Sequence, residues 1–206
     1  MIYLIITTCI NTKHNPLHEN HRKNRYIDSI RSVLALIKDD SSIKPIIVEN
    51  NGLRATYLDD LGCDVVYTDN NKFHFTNKGI NELMDIHEVI DKYAIKDDDI
   101  VLKLTGRYKV LRPDFFNCIK EHLETKDAFV KFLNVCTFKY ELHDCVLGLI
   151  AMRCKYLKNF KYENKISPES EIAIHVRSSI PRDRIMELTN LYLECCFADD
   201  LRIVTV

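Results

Sequence analysis

The feature that most constrains this chain is an apolar run that stops abruptly in polar residues. Ile100, Val101, Leu102 and Leu104 form a nearly continuous apolar stretch, the pattern of a strand buried on both faces. Lys103, Thr105, Gly106, Arg107 and Tyr108 close it. Donors, a hydroxyl and a flexible backbone point are thus delivered at the C-terminal end of a strand. In open α/β sheets, ligands bind at that edge. Pro113, followed by Phe115 and Phe116, marks the start of the next helix.

Three earlier runs repeat the design. Strands are predicted over 2–9, 45–48 and 64–67. They exit into Thr7-Thr8-Cys9, Glu49-Asn50-Asn51-Gly52 and Thr68-Asp69-Asn70-Asn71. Helices are predicted between them: 24–38, from Tyr26, Ile30, Val33 and Ile37 at helical spacing; 54–61, stopped by Gly62; and a longer one from the N-cap Asn77 to about Tyr93. Strand–helix alternation of this kind predicts parallel strands with crossover helices. After Asp114 the pattern changes. A helix over 114–124 precedes closely spaced strands over 128–133, 136–141 and 145–153, so the second half reads as mixed or antiparallel. A short helix over 155–160 follows. Ser167-Pro168-Glu169-Ser170-Glu171 opens another helix that runs to about Ser178. Strands over 188–197 and 201–206 end the chain. The 206 residues read as a single domain.

Composition excludes several classes. The net charge of −1 gives no reason to expect nucleic acid. No apolar run reaches the roughly 20 residues of a membrane span, and the apolar start lacks the basic flank of a signal peptide. Eight cysteines without a CxxC pair point to a reducing, cytoplasmic setting rather than to zinc. Five glycines, with neither a phosphate-loop nor a GxGxxG pattern, exclude ordinary kinase and dinucleotide readings.

Lys78 and Gly79 fall at a helix N-terminus, where free N–H groups and a lysine suit a phosphate or a ribose. Arg25, expected in a first helical turn, is either a surface arginine or a phosphate or base contact. His14, His18 and His21 read as part of a solvated loop, His87 and His175 as structural histidines. Asp97-Asp98-Asp99 precedes its strand and so belongs at the opposite edge of the sheet.

Several segments together resemble a family. The first strand ends in Thr-Thr. Arg25 stands near a helix start. Glu49-Asn50-Asn51, Asn77-Lys78-Gly79-Ile80-Asn81-Glu82 and Lys103-Leu104-Thr105-Gly106-Arg107-Tyr108 follow. The layout over most of the chain is similar to small GT-A type nucleotide-sugar glycosyltransferases, among them the glycosyltransferase domains of large DNA viruses such as chlorella viruses. The resemblance implies an α/β GT-A fold with a central, mostly parallel mixed sheet flanked by helices. Its nucleotide-binding half would cover 1–110 and its acceptor and catalytic half 111–206. It implies a UDP-sugar donor, a glycan acceptor, often a divalent metal (Mn²⁺ or Mg²⁺), and work in the cytoplasm, a host cell's if the source is viral. Thr7, Thr8, Cys9, Arg25, Glu49, Asn50, Asn70, Asn71, Lys78 and Gly79 would hold the nucleotide. Lys103, Thr105, Gly106, Arg107 and Tyr108 would face the diphosphate or sugar. Glu169 or Glu171, with Asp144 as the alternative, would be the general base. The sequence departs from the family where an Asp-x-Asp metal motif is expected: Thr105-Gly106-Arg107 stands there, and Asp69 is the better acidic candidate for a metal, with His143-Asp144 the second.

Overall fold

A computed structural model describes residues 1–10, 19–52, 54–75, 77–197 and 202–206. In its first half, strands and helices alternate as β1 (Ile2–Thr8), α1 (Glu19–Ile37), β2 (Ile43–Glu49), β3 (Asp64–Tyr67), α2 (Lys78–Lys92) and β4 (Ile100–Thr105). The second half holds β5 (Lys109–Val110), α3 (Asp114–His122), β6 (Ala128–Val130), β7 (Leu149–Arg153), α4 (Cys154–Lys158), α5 (Pro168–Ser179), β8 (Ile185–Glu187), β9 (Leu193–Cys196) and β10 (Ile203–Thr205). The main sheet has seven strands in the order β3-β2-β1-β4-β7-β6-β8. The first four are mutually parallel. β7 runs antiparallel to both of its neighbours, and β8 is parallel to β6. Strands β10, β9 and β5 make a small second sheet.

Strand alternation divides the core into two layers. Leu4, Ile6 and Leu102 face one side, against Ile30 and Val33 of α1 and Phe116 of α3. Ile5, Val48 and Val101 face the other, against Ile86 and Val89 of α2 and Val176 of α5. With both faces covered, the central strands need no polar residue, which is why they read as continuous apolar runs. Lys103 breaks that rule: it is 4% exposed, inside β4.

Several boundaries differ from the sequence reading. Helix α1 begins at Glu19, so Arg25 lies in its second turn rather than its first. Residues 136–141 form no strand. Asn134 Oδ1 accepts from the Cys136 and Thr137 N–H groups and folds them into a turn, the usual competition between an Asn side chain and extended pairing. Within 145–153 only Leu149–Arg153 pairs, and within 188–197 only Leu193–Cys196. Between Arg54 and Leu61 there is one 3₁₀ turn, Tyr57–Leu61, capped by Thr56 and ended by Gly62 at φ 85°. Asp97 pairs with Lys158 at 3.0 Å and Asp99 caps the Lys96 N–H, in the turn before β4 and away from the strand exits. The predicted loop carrying His14 and His18 lies outside the described residues. Among those described, no helix is long and apolar enough to cross a membrane, and no disulfide joins the cysteines.

The far edge of the sheet is tied by one acid. Asp127, 3% exposed, binds Arg184 through two bonds of 2.7 and 2.9 Å, pairs with Arg153 and accepts from the Tyr156 hydroxyl. Removing the acid leaves partly buried guanidinium charge without its counter-charge. Asp127→Ala is therefore expected to lower the unfolding free energy in urea by about 3 kcal/mol. The hydrogen bond from Arg184 holds this carboxyl below its ordinary value of 3.8. Its stabilisation is thus complete above pH 3.8 and fades as the pH falls through the lower value it has in the fold.

Candidate active site

The exits of β1, β2 and β4 share one edge, and a cavity of about 390 Å³ opens there. β1 contributes Thr7, Thr8 and Cys9; the stretch after β2 contributes Asn50; and β4 with its exit contributes Lys103, Thr105, Arg107 and Tyr108. Helix α1 adds Arg22 and Tyr26, and α2 adds Lys78, Gly79, Asn81, Glu82 and Asp85. Asn71, His74, Leu147, Gly148, Pro168 and Glu169 complete the wall. The starts of α2 and α5 touch: a Cβ on Gly79 would stand 2.9 Å from Pro168 Cβ. Tyr108 lies against Gly148, where a Cβ would come within 2.1 Å of the ring. Glycine is required at both points by close approach.

The floor is a charged network. Lys103 Nζ donates to Thr105 Oγ1 and to the Leu147 carbonyl, both at 2.8 Å, and pairs with Glu82 Oε2 at 3.0 Å. The Thr7 hydroxyl donates to Glu82 Oε1. With three polar neighbours for its three N–H bonds, Lys103 positions the floor, and it is not a free cation for a ligand.

Next to it lies Asp85, which accepts from the Thr68 hydroxyl (2.7 Å), Asn70 Nδ2 (2.8 Å) and Asn50 Nδ2 (2.9 Å). Burial pushes its carboxyl up to about 6 despite those three bonds, and nearby Glu82 adds to the shift. Burial also raises the Cys9 thiol to about 11 and the Tyr108 phenol to about 12, so both are neutral near pH 7.

Three cations line the cavity with no such balance. Arg107 is oriented by Nε donating to the Cys196 carbonyl at 2.7 Å, and Arg22 by Nε and Nη2 donating to the Cys9 carbonyl at 3.1 and 2.9 Å. Lys78 follows the N-cap Asn77, whose side chain accepts from Gly79 N–H. Among the described residues, none of the three lies within 4.0 Å of a carboxylate. Arg22 is buried and Arg107 half-buried, while Lys78 is exposed; cations so held without a contacting carboxylate favour an anionic ligand.

Seven sequence candidates lie outside the cavity wall, and their contacts explain why. Arg25 buttresses the site from behind: its Nε donates to the Arg107 carbonyl at 2.7 Å and its terminal nitrogens hold Glu194. Glu49 is fully buried and accepts from the Thr8 hydroxyl, Ile10 N–H and Asn51. Asn70 holds Asp85 and Glu88. Gly106 lets its backbone press on β1, donating to the Thr7 carbonyl at 2.9 Å. Asp144 caps Cys145 N–H and holds Asn134. Glu171 binds the N–H groups of Glu163, Lys165 and Ile166, anchoring the chain before α5. Asp69 is exposed and paired with Lys72 at 2.7 Å.

The cavity residues that sequence reasoning passed over are Arg22, Tyr26, His74, Asn81, Glu82, Asp85, Leu147, Gly148 and Pro168. A signal existed for part of this set. Lys78, Asn81, Glu82 and Asp85 follow i, i+3, i+4, i+7, a polar stripe beside the apolar face of α2.

Glu82 is engaged with Lys103 and Thr7, Asp85 with three donors, and among the described residues no three of His, Cys, Asp and Glu come together. The described residues therefore do not form a metal site.

Neither a family model nor a curated protein sequence matches the chain. Solved structures do. A mannosyltransferase from Pyrobaculum calidifontis, solved with GDP-Man and Mn²⁺, superposes with a TM-score of 0.60 at 11% identity, covering 92% of this chain and 55% of its own. A Desulfovibrio desulfuricans G20 protein with the provisional name nucleotide-diphospho-sugar transferase gives 0.57 at 10% identity, covering 91% of this chain and 79% of its own. The fold is that of the nucleotide-diphospho-sugar transferases. A cytidylyltransferase from Leptospira borgpetersenii shares it, with a TM-score of 0.53 at 10% identity, covering 92% of this chain and 76% of its own. The chain spans about half the length of the mannosyltransferase. At these identities the likeness shows the fold and leaves the reaction to the site's own chemistry.

Asp85 gives the site a pH signature. Its folded value lies above the unfolded one, so the native state holds the extra proton between about pH 4 and pH 6. Measured against Asp85→Asn, wild-type stability is expected to fall by about 3 kcal/mol as the pH rises through that window, and to stay level above it. Parallel curves for the two proteins would refute the assignment.

Proposed function

We propose that the protein is a glycosyltransferase that moves a sugar from a nucleotide-diphosphate donor, a UDP-sugar first, to a glycan acceptor. The observation that carries this reading is the set of cations without a contacting carboxylate, Arg107 above all, in a cavity at the strand exits of this fold. A diphosphate supplies the missing negative charge, and a guanidinium held at Nε keeps its terminal nitrogens for two parallel bonds to phosphate oxygens. The resemblance to the glycosyltransferase domains of large DNA viruses, carried by Lys103–Tyr108, points the same way.

In the transfer, an acceptor hydroxyl attacks the anomeric carbon and the bond to the diphosphate oxygen breaks. Arg107 and Arg22 stabilise charge on the leaving diphosphate, with Lys78 at the start of α2. Glu169, the sequence-derived base that lines the cavity, takes the acceptor's proton. Residues 1–110 then supply the nucleotide side and Pro168–Glu169 the acceptor side. No step is assigned to a metal, since the described residues do not form its site.

A second reading, nucleotidyl transfer, is favoured by the cytidylyltransferase neighbour. Against it, residues 7–13 contain no glycine. The two separate by product: a nucleoside diphosphate for sugar transfer, pyrophosphate for nucleotidyl transfer.

Arg107→Ala is expected to cut donor turnover at least about 100-fold, the scale of one charge-assisted clamp on the leaving group, with a circular dichroism melt that stays cooperative. Unchanged turnover would remove the central assignment. Glu169→Gln is expected to lower kcat about 100-fold with little change in donor KM.

A further inference from the structure

The Thr7–Glu82–Lys103 cluster holds more chemistry than its own stability needs. Of the ion pair, Lys103 is the hidden partner, its side chain 5% exposed, while that of Glu82 is 24% exposed. Of the two, the carboxylate is the more open to a ligand in the cavity. Glu82 is clamped on both oxygens, Oε1 by the Thr7 hydroxyl and Oε2 by the Lys103 charge. A carboxylate has about four acceptor sites, so about one remains on each oxygen, side by side on a group that cannot swing away. Glu82 shares the cavity wall with Arg107, Tyr108 and Glu169. The carboxylate thus belongs to the same cavity as the proposed phosphate clamp, an aromatic ring and the proposed base.

Two fixed, adjacent acceptors complement two adjacent hydroxyl donors. We propose that Glu82 recognises a vicinal diol of a sugar, one hydroxyl to each carboxylate oxygen, and sets which sugar the cavity accepts. This rests on the donor reading above and adds the group that reads the sugar. The diol belongs either to the ribose of the nucleotide or to the sugar being transferred. A neutral amide at 82 would offer one acceptor in place of two.

The test is titration calorimetry of wild type and Glu82→Gln with UDP, 2′-deoxy-UDP, UDP-glucose, GDP, 2′-deoxy-GDP and GDP-mannose. A hydrogen bond to a charged group changes affinity by about ten- to a hundredfold. The expected result is a preference of that size in wild type that Glu82→Gln abolishes. A lost preference for UDP over 2′-deoxy-UDP, or for GDP over its 2′-deoxy form, assigns the ribose. A lost preference for UDP-glucose over UDP, or for GDP-mannose over GDP, assigns the transferred sugar. Wild type without either preference, or a variant that keeps the wild-type preference, overturns the proposal. If Glu82→Gln fails to fold because Lys103 loses its partner, Glu82→Gln with Lys103→Met removes both charges and is titrated in its place. If no nucleotide binds wild type, the donor reading falls. D-ribose against 2-deoxy-D-ribose, on wild type and variant, then decides the diol claim alone: a wild-type preference for ribose that the variant lacks supports it, and the absence of that preference overturns it.

Discussion

A lysine in the middle of a fully buried strand is the constraint from which the site is built. Moving an ammonium group out of water costs several kcal/mol unless charge and hydrogen bonds replace the solvent. Lys103 meets that demand with Glu82, Thr105 and the Leu147 carbonyl. Each partner comes from a different place in the chain, so one buried charge fixes how α2, the exit of β4 and the approach to β7 meet. The Leu147 carbonyl faces the lysine, and β7 begins two residues later at Leu149. Gly148 then passes under Tyr108, and the cavity takes its shape between them.

Acidic residues around the cavity divide by what their oxygens already hold. Glu49, Asp144 and Glu171 bind backbone N–H groups and are structural. Asp85 fixes three side chains and carries a raised proton affinity. Glu82 and Glu169 face the cavity. Identical functional groups thus serve as cap, as strut and as cavity lining, and the distinction comes from geometry and burial rather than from residue type.

That division explains what the sequence made legible. The parallel half of the sheet was readable because buried strands give unbroken apolar runs and their exits give short polar clusters. Thr7, Asn50, Lys78, Arg107 and Glu169, each at a strand exit or a helix start, were assigned to one pocket that way, and all five line the cavity. Arg25 and Arg22 show the limit. They lie three residues apart on α1, yet one reaches the cavity and the other turns to Glu194. Which face is which depends on a helix that starts five residues before the apolar spacing suggests. Glu171 was indistinguishable from Glu169 in sequence, since both are acids in the first turn of α5; only the return of residues 163–166 onto Glu171 separates them. The turn at Asn134 defeated an alternating pattern for a similar reason, because a side chain out-competed strand pairing.

Both arginines that face the cavity are aimed by main-chain oxygens, Arg22 by the carbonyl of Cys9 and Arg107 by that of Cys196. A carbonyl is present whatever side chain the position carries. Substitutions at 9 and 196 can therefore accumulate without removing the acceptor, provided β1 and β9 keep their register. The direction of the positive charge is inherited from topology, so a lineage could exchange most of its side chains while both guanidinium groups stayed aimed into the cavity.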